Sequence, residues 1–599
     1  MFHDIHFLEP SDIKVEGTML EKLLFVIEDQ LKDVSMWKKF AEPFKTKEDR
    51  DSFWRGEFFG KQMRGASLAY RVRQDEELYS ILTEAAKDML STQEGNGRIS
   101  TYPIENEFSG WDMWCRKYVL TGLLHYYDIW KDNALKEEII AALQRHLDYI
   151  LAHIGKKEEG KKEITETSSW WGCVNSCTIL EPTLALYRLT HEERYMGFAK
   201  YIIGTGGCHD CNLIELALHN KLYPYQYPVT KAYEMMSFYE GLLAYYEITG
   251  EKKYLECVTN FIENVVLTDL TAIGCSGCTH ELFDHSSIMQ TKPHENIMQE
   301  TCVAVTWMRL SARLFFLTGE AKYLDRIEKS GFNDLYGSLN TEHQEQHNLF
   351  TKKIVKAMTF DSYSPLYDKE RGQGVGGYLE FKTGGHYGCC VAIGACGVAL
   401  MPLMAALIAK EGLILSLPFQ GEIKAKGNKG SLILLKLASD YPTSQTLSLE
   451  ALGGEEGEEV LLYFRKPIDA TDLKFDGKAI DIEKEKGFAV ISLKCDGKKH
   501  RLSFERFLRV SYLDGKASFS YGSLTLAGDE AKSDIDLASP IDLPKKTICK
   551  LLSPEKGEYV RLALTLEDGK ELLLTDYESC GKKWNEKKNK ITVWFNLLA

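Results

Sequence analysis

The first two-thirds of the chain has the apolar periodicity of amphipathic helices, and one local pattern recurs within it. The pattern appears at residues 186–196, 246–255 and 316–324, and in a weaker form at residues 70–79. In the clearest copies an apolar run ends at a Gly, an acidic residue follows, and a Tyr opens the next apolar run. A Gly suits the left-handed backbone at the end of a helix, and an acid or Thr suits the cap of the next helix. The pattern therefore predicts helical hairpins spaced roughly 60 to 70 residues apart.

A helical hairpin cannot bury its apolar face alone, so repeated hairpins stack into an open solenoid or close into a ring. We favour the ring and predict a mainly α fold, an (α/α)6 toroid, over residues 1–410. Long loops rich in Gly, Trp and polar residues separate the hairpins, as at residues 97–102 and 169–172. Such loops are expected to meet at one end of a toroid, where the functional site should lie.

The sequence changes character after about residue 410, where short strand-like runs replace the helical periodicity. These runs are residues 412–417, 460–464, 488–493 and 591–595. Asp-Gly dipeptides, which are typical of tight turns, separate several of them. We predict an all-β accessory region over residues 411–599, built as one or two β-sandwiches that support the helical domain.

The charge of the chain narrows the range of partners. Its 599 residues include 87 acidic and 73 basic side chains, which gives a net charge of −14. Nucleic acids and anionic membranes attract clustered Lys and Arg, so this acidic excess argues against both. A neutral or modestly polar small substrate fits better. The sequence does not fix the oligomeric state, and a homodimer stays open.

The first six residues contain an early Asp and no basic-then-apolar run, so no secretory signal is expected there. The fifteen cysteines are then expected to be mostly reduced thiols, in a cytoplasmic protein. Residues 389–409 carry no charge and approach the length of a membrane-spanning helix. Gly394, Gly397 and Pro402 within this run favour a buried helix of a globular domain instead.

The strongest local signal is a pair of adjacent cysteines, Cys389 and Cys390, at the start of that uncharged helix. A second predicted helix begins after residues 299–302, which read Gln-Glu-Thr-Cys. Thiolates and a carboxylate can complete a tetrahedral zinc shell, and a helix N-terminus favours the thiolate form of a cysteine. The alternative interpretation is that these are buried cysteines that fill small gaps.

Two further cysteine pairs have the spacing of a zinc knuckle. They are Cys208 with Cys211 and Cys275 with Cys278. Together they could form a second, four-thiolate metal site. Free thiols in loops are the alternative.

Three short motifs resemble those of glycoside hydrolase family 127, the β-L-arabinofuranosidase group. They are Thr-His-Glu-Leu-Phe at residues 279–283, Glu-Thr-Cys at residues 300–302, and the pair Cys389–Cys390. The motifs stand in the order found in that family, and Tyr-Ser-Pro-Leu at residues 363–366 is also similar. The resemblance extends over nearly the whole chain, with little contribution from the β region, and indicates a divergent member of the family.

The resemblance implies a zinc-dependent retaining glycosidase that acts on short oligosaccharides or glycosides, with the helical domain as the catalytic domain. The zinc ligands that it implies are Glu300, Cys302, Cys389 and Cys390. Cys389 would also be the nucleophile, and Glu281 would be the general acid/base. The segment between Glu281 and Glu300 is a few residues longer than in the family, so Asp284 is a second candidate for the acid/base.

The substrate-binding residues differ from the histidines that are common in the family, which implies a changed sugar or linkage. Trp111 and Trp114 have flat faces that suit stacking on a sugar ring, although such residues are as often part of a core. The full set of substrate-binding candidates is Trp111, Asp112, Trp114, Lys231, Tyr363 and His386.

Two other functions remain open at this stage. One is a metal-independent α/α-toroid enzyme, a polysaccharide lyase or an unsaturated-uronide hydrolase, with a basic cleft supplied by Arg98, Arg116 and Lys231. The other is a non-catalytic carbohydrate-binding protein in which zinc is structural, because closed four-ligand zinc sites usually are.

Overall fold

The chain forms a helical region followed by a region of β-sheets. The computed structural model describes residues 2–279, 281–292, 299–348, 353–373, 377–483, 487–545 and 548–598. The helices of the described residues are α1 (Thr18–Val26), α2 (Val34–Thr46), α3 (Glu57–Arg73), α4 (Glu76–Leu90), α5 (Asp112–Ile129), α6 (Asn133–His153), α7 (Val174–Cys177), α8 (Leu180–Thr190), α9 (Glu193–Gly204), α10 (Leu213–His219), α11 (Ala232–Thr249), α12 (Lys252–Thr268), α13 (Ser286–Met289), α14 (Thr301–Thr318), α15 (Ala321–Ser330) and α16 (Cys389–Ala405). The predicted change from helices to strands is confirmed.

Helical hairpins occur at all four copies of the recurring sequence pattern. They join α3 to α4, α8 to α9, α11 to α12 and α14 to α15. In each hairpin the first helix ends in a residue with a left-handed backbone, at Gln74 (φ 52°), His191 (φ 54°), Gly250 (φ 71°) and Gly319 (φ 70°). The predicted hairpins are therefore confirmed, and the predicted helix caps explain where they turn.

Six of the helices contact one another in succession. α3 packs on α5, α5 on α8, α8 on α11, α11 on α14, α14 on α16, and α16 on α3. Helix α3 approaches its neighbours most closely where it carries glycine. A Cβ added at Gly60 would lie 1.8 Å from the carbonyl oxygen of Tyr118, and one at Gly65 would lie 2.6 Å from the backbone nitrogen of Cys396. Only glycine permits these two approaches of α3, toward α5 and α16.

The uncharged run that begins at Cys389 forms helix α16. Every residue from Cys390 to Ala405 is buried, which confirms the predicted buried helix for this part of the run. Residues 406–409 form a β-strand instead. In the part of the chain that the structure describes, no helix combines the length and the hydropathy needed to cross a lipid bilayer.

The strands fall into two groups along the chain. Those before α16 are β1 (His6–Phe7), β2 (Ile13–Glu16), β3 (Gln299–Glu300), β4 (Gln346–His347), β5 (Ile354–Val355), β6 (Tyr363–Ser364), β7 (Tyr378–Glu380) and β8 (His386–Gly388). Those after it are β9 (Ala406–Ala409), β10 (Gly412–Leu415), β11 (Gln420–Lys426), β12 (Leu432–Ala438), β13 (Thr446–Leu452), β14 (Glu459–Arg465), β15 (Thr471–Phe475), β16 (Lys478–Ala479), β17 (Ile482–Glu483), β18 (Phe488–Lys494), β19 (Lys499–Glu505), β20 (Leu508–Leu513), β21 (Lys516–Tyr521), β22 (Leu524–Asp529), β23 (Ile548–Leu552), β24 (Arg561–Thr565), β25 (Glu571–Asp576), β26 (Ile591–Thr592) and β27 (Phe595–Asn596).

Three larger sheets build the C-terminal region. Their strand orders are β1-β9-β10-β14-β18-β17, β16-β15-β19-β13-β12-β11-β2, and β20-β21-β22-β25-β24-β23 with β26 and β27 paired to β22 and β21. Alternate residues of β11 are buried, as expected for a strand that covers a core with one face. The first two sheets each take one strand from the N-terminus of the chain, so residues 6–16 join the β region rather than the helices.

A buried ion pair fastens the helical region to the sheets. Arg465, in β14, is fully buried and its guanidinium contacts the carboxylates of Asp325 and Glu328 in α15. Its Nε also donates to the carbonyl oxygen of Ser416 at 2.8 Å. The Tyr441 hydroxyl donates to Glu328 as well. This network pairs the buried guanidinium of Arg465 with the equally buried carboxylate of Glu328.

Replacing Arg465 should destabilise the protein strongly, because Arg465→Met leaves the buried carboxylate of Glu328 without its ion-pair partner. Breaking a buried pair in this way costs about 3–5 kcal/mol. The matched control is Arg194→Met, whose exposed pair with Asp148 should contribute less than about 1 kcal/mol. Thermal unfolding followed by circular dichroism measures both. Equal unfolding midpoints for the two variants would contradict this role of Arg465.

Candidate active site

Four side chains converge where three segments of the chain meet. Glu300 lies in β3, Cys302 in the first turn of α14, and Cys389 and Cys390 in the first turn of α16. Strand β3 pairs with β6, which sets Glu300 opposite Tyr363. The ligand atoms of the four side chains all lie within 4.8 Å of one another. This set, Glu300, Cys302, Cys389 and Cys390, is called the ligand cluster below.

The spacing within the ligand cluster fits a tetrahedral zinc ion. Cys389 Sγ lies 3.8 Å from Cys390 Sγ, and Glu300 Oε1 lies 3.6 Å from Cys390 Sγ and 4.0 Å from Cys389 Sγ. Zinc–sulfur bonds of about 2.3 Å at tetrahedral angles place two sulfur atoms about 3.8 Å apart. The other carboxylate oxygen, Glu300 Oε2, is buried and has no hydrogen-bond partner among the described residues. Both the donor set and its geometry therefore suit zinc.

The thiols of the ligand cluster differ in acidity. Hydrogen bonds from the Cys302 and Cys390 thiols hold the pKa of Cys389 well below its ordinary value, and the charges of Lys61 and Lys231 act in the same direction. Burial raises the pKa of Cys302 and that of Cys390. Cys389 is also the one member of the cluster that is only partly buried. The sulfur that ionises most readily is therefore the one that faces open space.

That open space is a pocket of about 210 Å³ with a strongly aromatic wall. Five tryptophans line it, namely Trp54, Trp111, Trp114, Trp170 and Trp171. The other lining residues are Ser52, Glu57, Lys61, Lys231, Tyr233, Glu234, Glu281, Glu300, Gly377 and Cys389. Flat apolar faces together with a few converging polar groups are typical of sites that bind a small, partly apolar ligand such as a sugar.

Glu281 points into the pocket and is held by two donors. Lys231 Nζ contacts Glu281 Oε2, and the Tyr363 hydroxyl donates to Glu281 Oε1 at 2.6 Å. The backbone carbonyl of Glu281 accepts from the nitrogen of Ala232, at the start of α11, and the φ of Glu281 is +66°. Burial opposes the charge of Lys231, but Glu281, Glu234 and Glu300 outweigh it and raise the pKa of that lysine. The carboxylate of Glu281 is thereby fixed in orientation.

Asp284 is in a different position from Glu281. Its Oδ2 accepts from the backbone nitrogen of Thr279 at 3.0 Å and from the Thr279 hydroxyl, and its Oδ1 accepts from the Ser286 hydroxyl. Asp284 does not line the pocket. Both of its oxygens stabilise the loop, so the geometry favours Glu281 of the two candidate acids. His280, of the same motif, lies outside the described residues.

Three of the six predicted substrate-binding residues line the pocket, and a fourth contacts one of its lining residues. Trp111, Trp114 and Lys231 line it, and Tyr363 contacts Glu281. Asp112 does not reach it. It is fully buried, and its carboxylate accepts hydrogen bonds from Ser100, Arg116 and the backbone of Phe108. His386 lies in β8 and is not among the lining residues.

Other sequence predictions concerned basic residues and a second metal site. Arg98 and Arg116 are buried and form ion pairs with Glu107, so they do not provide a basic cleft at the pocket. The prediction of a four-thiolate site is wrong. Among the described residues, the ligand cluster is the one group of side chains arranged so that it could hold a metal ion. Cys208 lies beside Gly172, whereas Cys275 and Cys278 lie beside β3, so the two pairs do not meet.

The sequence did not predict the residues that α3 contributes to the pocket. Glu57 and Lys61 are one helical turn apart, are almost fully buried and form an ion pair at 3.0 Å. Burial raises the pKa of Glu57 to about 7, against the opposing charge of Lys61. Trp54 and Glu234 were also missed as lining residues. The one available signal was an acid and a lysine four residues apart in a predicted helix.

Comparisons with known proteins point to one family. The family model described as β-L-arabinofuranosidase, GH127 catalytic domain, matches residues 13–350. A GH127 β-arabinofuranosidase structure has a TM-score of 0.76 at 17% identity, covering 100% of this chain and 98% of that one. The GH127 β-L-arabinofuranosidase of Geobacillus stearothermophilus T6 has a TM-score of 0.72 at 16% identity, covering 98% and 100%. At these identities the likeness shows a shared fold, and none of the curated proteins matches the sequence.

Zinc binding can be tested with two alanine variants. The wild type should bind about one zinc ion per chain, and Cys302→Ala should bind it at least about tenfold more weakly, because it loses a thiolate ligand. Cys396→Ala is the matched control, a buried cysteine two turns into α16 and outside the ligand cluster. Zinc content after dialysis and titration against a chromophoric chelator measure the difference. Equal zinc affinity of the two variants would rule out the ligand cluster.

Proposed function

The chain belongs to glycoside hydrolase family 127 and is a glycosidase of the β-L-arabinofuranosidase type, and from this premise we propose that it is a zinc-dependent retaining enzyme. Cys389 is the nucleophile in this proposal, and Glu281 is the general acid/base. One observation carries it above all. The most acidic thiol and a carboxylate fixed by two donors line the same pocket, with the ligand cluster at its base.

The proposed zinc ligands are Glu300 Oε1 and the sulfurs of Cys302, Cys389 and Cys390. When bound, zinc keeps these thiols ionised at neutral pH and orients them. The wall of the pocket excludes much of the water, which strengthens the electrostatic interactions of the reacting groups. Trp111 and Trp114 give the sugar an apolar face to pack on.

In the first proposed step, Cys389 Sγ attacks the anomeric carbon and forms a carbon–sulfur bond. The bond from that carbon to the leaving oxygen breaks, and the electron pair goes to the oxygen. Glu281, in its protonated form, gives its proton to this oxygen. The products of the step are a free alcohol, a thioglycosyl enzyme and an ionised Glu281.

In the second proposed step, ionised Glu281 takes a proton from a water molecule while the water oxygen attacks the anomeric carbon. The carbon–sulfur bond breaks and returns the thiolate of Cys389. Lys231 and Tyr363 suit both steps, because their contacts with Glu281 hold its carboxyl group in orientation. Two inversions at the anomeric carbon give net retention of configuration.

A non-catalytic protein with a structural zinc fits the pocket less well. A structural site usually has all of its ligands enclosed. Here Cys389 is partly exposed and lines the pocket together with Glu281. A lyase or hydrolase for uronides also fits less well, because both pocket lysines are already paired, Lys61 with Glu57 and Lys231 with Glu281.

The proposed substrate is an uncharged glycoside or short oligosaccharide, with a β-L-arabinofuranoside as the first candidate. The pocket of about 210 Å³ holds about one sugar ring with part of its neighbour. The pairing of both lysines gives a carboxylated sugar no unengaged cation on the described wall. In this proposal, the linkage that is accepted depends on Trp170, the exposed tryptophan of the pocket wall, which would contact the leaving group.

The proposed architecture is an (α/α)6 toroid within residues 1–410, of which residues 6–16 and 406–409 join the sheets, followed by β-sandwiches over residues 411–599. The toroid is supported by the succession of contacts α3–α5–α8–α11–α14–α16–α3. The sandwich is supported by two sheets whose strands alternate along the chain between residues 406 and 505. The pocket lies where the loops before α3, α5 and α11 meet the starts of α14 and α16, as expected for a site at one end of a toroid.

Hydrolysis of a panel of p-nitrophenyl furanosides and pyranosides tests the proposed reaction. We expect one member to be cleaved with retention, which NMR of the first product formed will show. Cys389→Ala should lower kcat by at least about 1000-fold, because the nucleophile is lost. Cys396→Ala should keep wild-type activity. Substantial turnover by Cys389→Ala would overturn the assignment of the nucleophile.

Glu281→Gln separates the two steps, because p-nitrophenolate leaves without acid assistance whereas deglycosylation needs a base. We expect a burst of p-nitrophenol followed by slow turnover. Azide, a nucleophile that needs no base, should restore the rate and yield a glycosyl azide of retained configuration. Asp284→Asn is the control and should show neither the burst nor the rescue. A burst and azide rescue in Asp284→Asn, with neither in Glu281→Gln, would make Asp284 the acid/base.

Trp170, the exposed tryptophan of the pocket wall, should determine substrate affinity rather than the rate of the chemical steps. Trp170 is 38% exposed, and its ring stacks on that of Trp111 with centroids 6.3 Å apart. Trp170→Ala should raise the KM for a disaccharide roughly 2- to 10-fold with little change in kcat, since it removes a stacking face. Trp170→Phe keeps an aromatic face and should be nearer the wild type. A loss confined to kcat would contradict this role.

A further inference from the structure

Lys61 is the lysine in closest contact with a sulfur of the ligand cluster. Its Nζ lies 3.7 Å from Cys302 Sγ and 3.0 Å from Glu57 Oε1. The side chain is almost fully buried, with 1% of its surface exposed. Aromatic faces surround the ammonium group, with ring centroids 4.5 Å away at Tyr233 and 5.5 Å away at Tyr118. A buried ammonium is retained only where such partners stabilise its charge.

We propose that Lys61 is a positioning residue of the metal centre, which donates an N–H···S hydrogen bond to Cys302 and offsets part of the cluster's negative charge. The inference rests on the proposed function only in taking the four ligands as a metal site. It does not depend on which sugar is cleaved.

The charge of the ligand cluster explains why such a partner is needed. Three thiolates and one carboxylate carry four negative charges, and a zinc ion supplies two positive ones. The remaining charge is buried, where it is costly unless cations or hydrogen-bond donors lie nearby. Lys231, the other lysine of the pocket, is engaged with Glu281. Lys61 therefore provides a compensating charge beside Cys302.

The choice of Cys302 as the acceptor also matters. A hydrogen bond to a thiolate withdraws electron density from it and makes it less nucleophilic. Lys61 donates to Cys302, which does not line the pocket, and so leaves the lone pairs of Cys389 available for the sugar. Partners of metal ligands commonly tune a site in this way, and their loss costs roughly 10- to 100-fold in metal affinity.

Glu57 connects this contact to the wall of the pocket. Its Oε1 accepts from Lys61, and its Oε2 accepts from the indole Nε1 of Trp114. One carboxylate thus fixes both the ammonium that contacts Cys302 and the ring that is proposed to pack on the sugar. A change in the position of Glu57 would disturb the metal centre and the sugar platform together.

Lys61→Met tests the inference, and Lys117→Met is the matched control. Lys117 is also buried, with its Nζ 4.5 Å from the Trp114 ring centroid and 4.8 Å from that of Tyr118. It bonds to the Ser237 hydroxyl at 2.6 Å instead of a sulfur. Both variants therefore remove a buried lysine that lies over the rings of Trp114 and Tyr118. Only Lys61→Met removes an N–H···S contact.

The measurements are zinc affinity by competition with a chelator and the absorption of the cobalt-substituted protein. Without the hydrogen bond, the sulfur lone pair rises in energy, so the sulfur-to-cobalt charge-transfer band should move to longer wavelength in Lys61→Met. Zinc affinity should fall roughly 10- to 100-fold. Lys117→Met should match the wild type in both. An unshifted band in Lys61→Met, or equal changes in the two variants, would overturn the inference.

Glu57→Gln tests the same contact if Lys61→Met does not reach the folded state. Without the charge of Glu57, the Lys61 ammonium interacts more fully with Cys302, so the band should move to shorter wavelength. A shift in the other direction, or none, would contradict the proposal. Both readouts are independent of turnover. If the protein binds cobalt but cleaves no sugar, the role of Lys61 can still be tested, and only the proposed reaction fails. A wild type that binds neither metal would overturn the inference together with the zinc part of the proposed function.

Discussion

The site depends on holding four acidic side chains within 4.8 Å of one another in a largely buried position. Each of them binds a metal ion as an anion, and burial disfavours the charge. The cost is met locally by the starts of α14 and α16, whose backbone N–H groups favour negative charge, and by Lys61. This requirement constrains the surrounding helices, because β3, the start of α14 and the start of α16 must all meet at the cluster.

Helix α3 has the central place in that arrangement. Gly60 and Gly65 let it approach α5 and α16 at backbone distance, and Lys61 stands between these two glycines. A larger residue at Gly60 would push α3 away from Tyr118 and move the ammonium relative to Cys302. The same helix carries Glu57 into the pocket one turn earlier. The close packing of α3 therefore also fixes the position of the charge beside the ligand cluster.

The sequence predicted best those features that depend on neighbouring residues. The hairpin turns follow from a local requirement, a left-handed residue at the end of a helix, and they lie where Gly250 and Gly319 stand. The adjacent cysteines at the start of an uncharged helix, with Glu300 and Cys302, predicted the four side chains that the structure brings together. Lys61 was missed because its role comes from Cys302, a residue 241 positions away in sequence. Asp112 was misplaced because its position beside two tryptophans does not show that its carboxylate points toward Ser100 and Arg116.

Charge pairing across the pocket also limits what the enzyme can accept. Lys61 and Lys231 each contact a carboxylate, while Glu234 is buried with one oxygen, Oε2, that lacks a partner among the described residues. Such an oxygen needs a donor, and burial raises the pKa of Glu234, which favours a form able to donate as well. Sugar hydroxyls both donate and accept hydrogen bonds, whereas a sugar carboxylate would add charge to a wall that is already acidic. The same balance that stabilises the ligand cluster therefore supports the proposal of a neutral sugar over an acidic one.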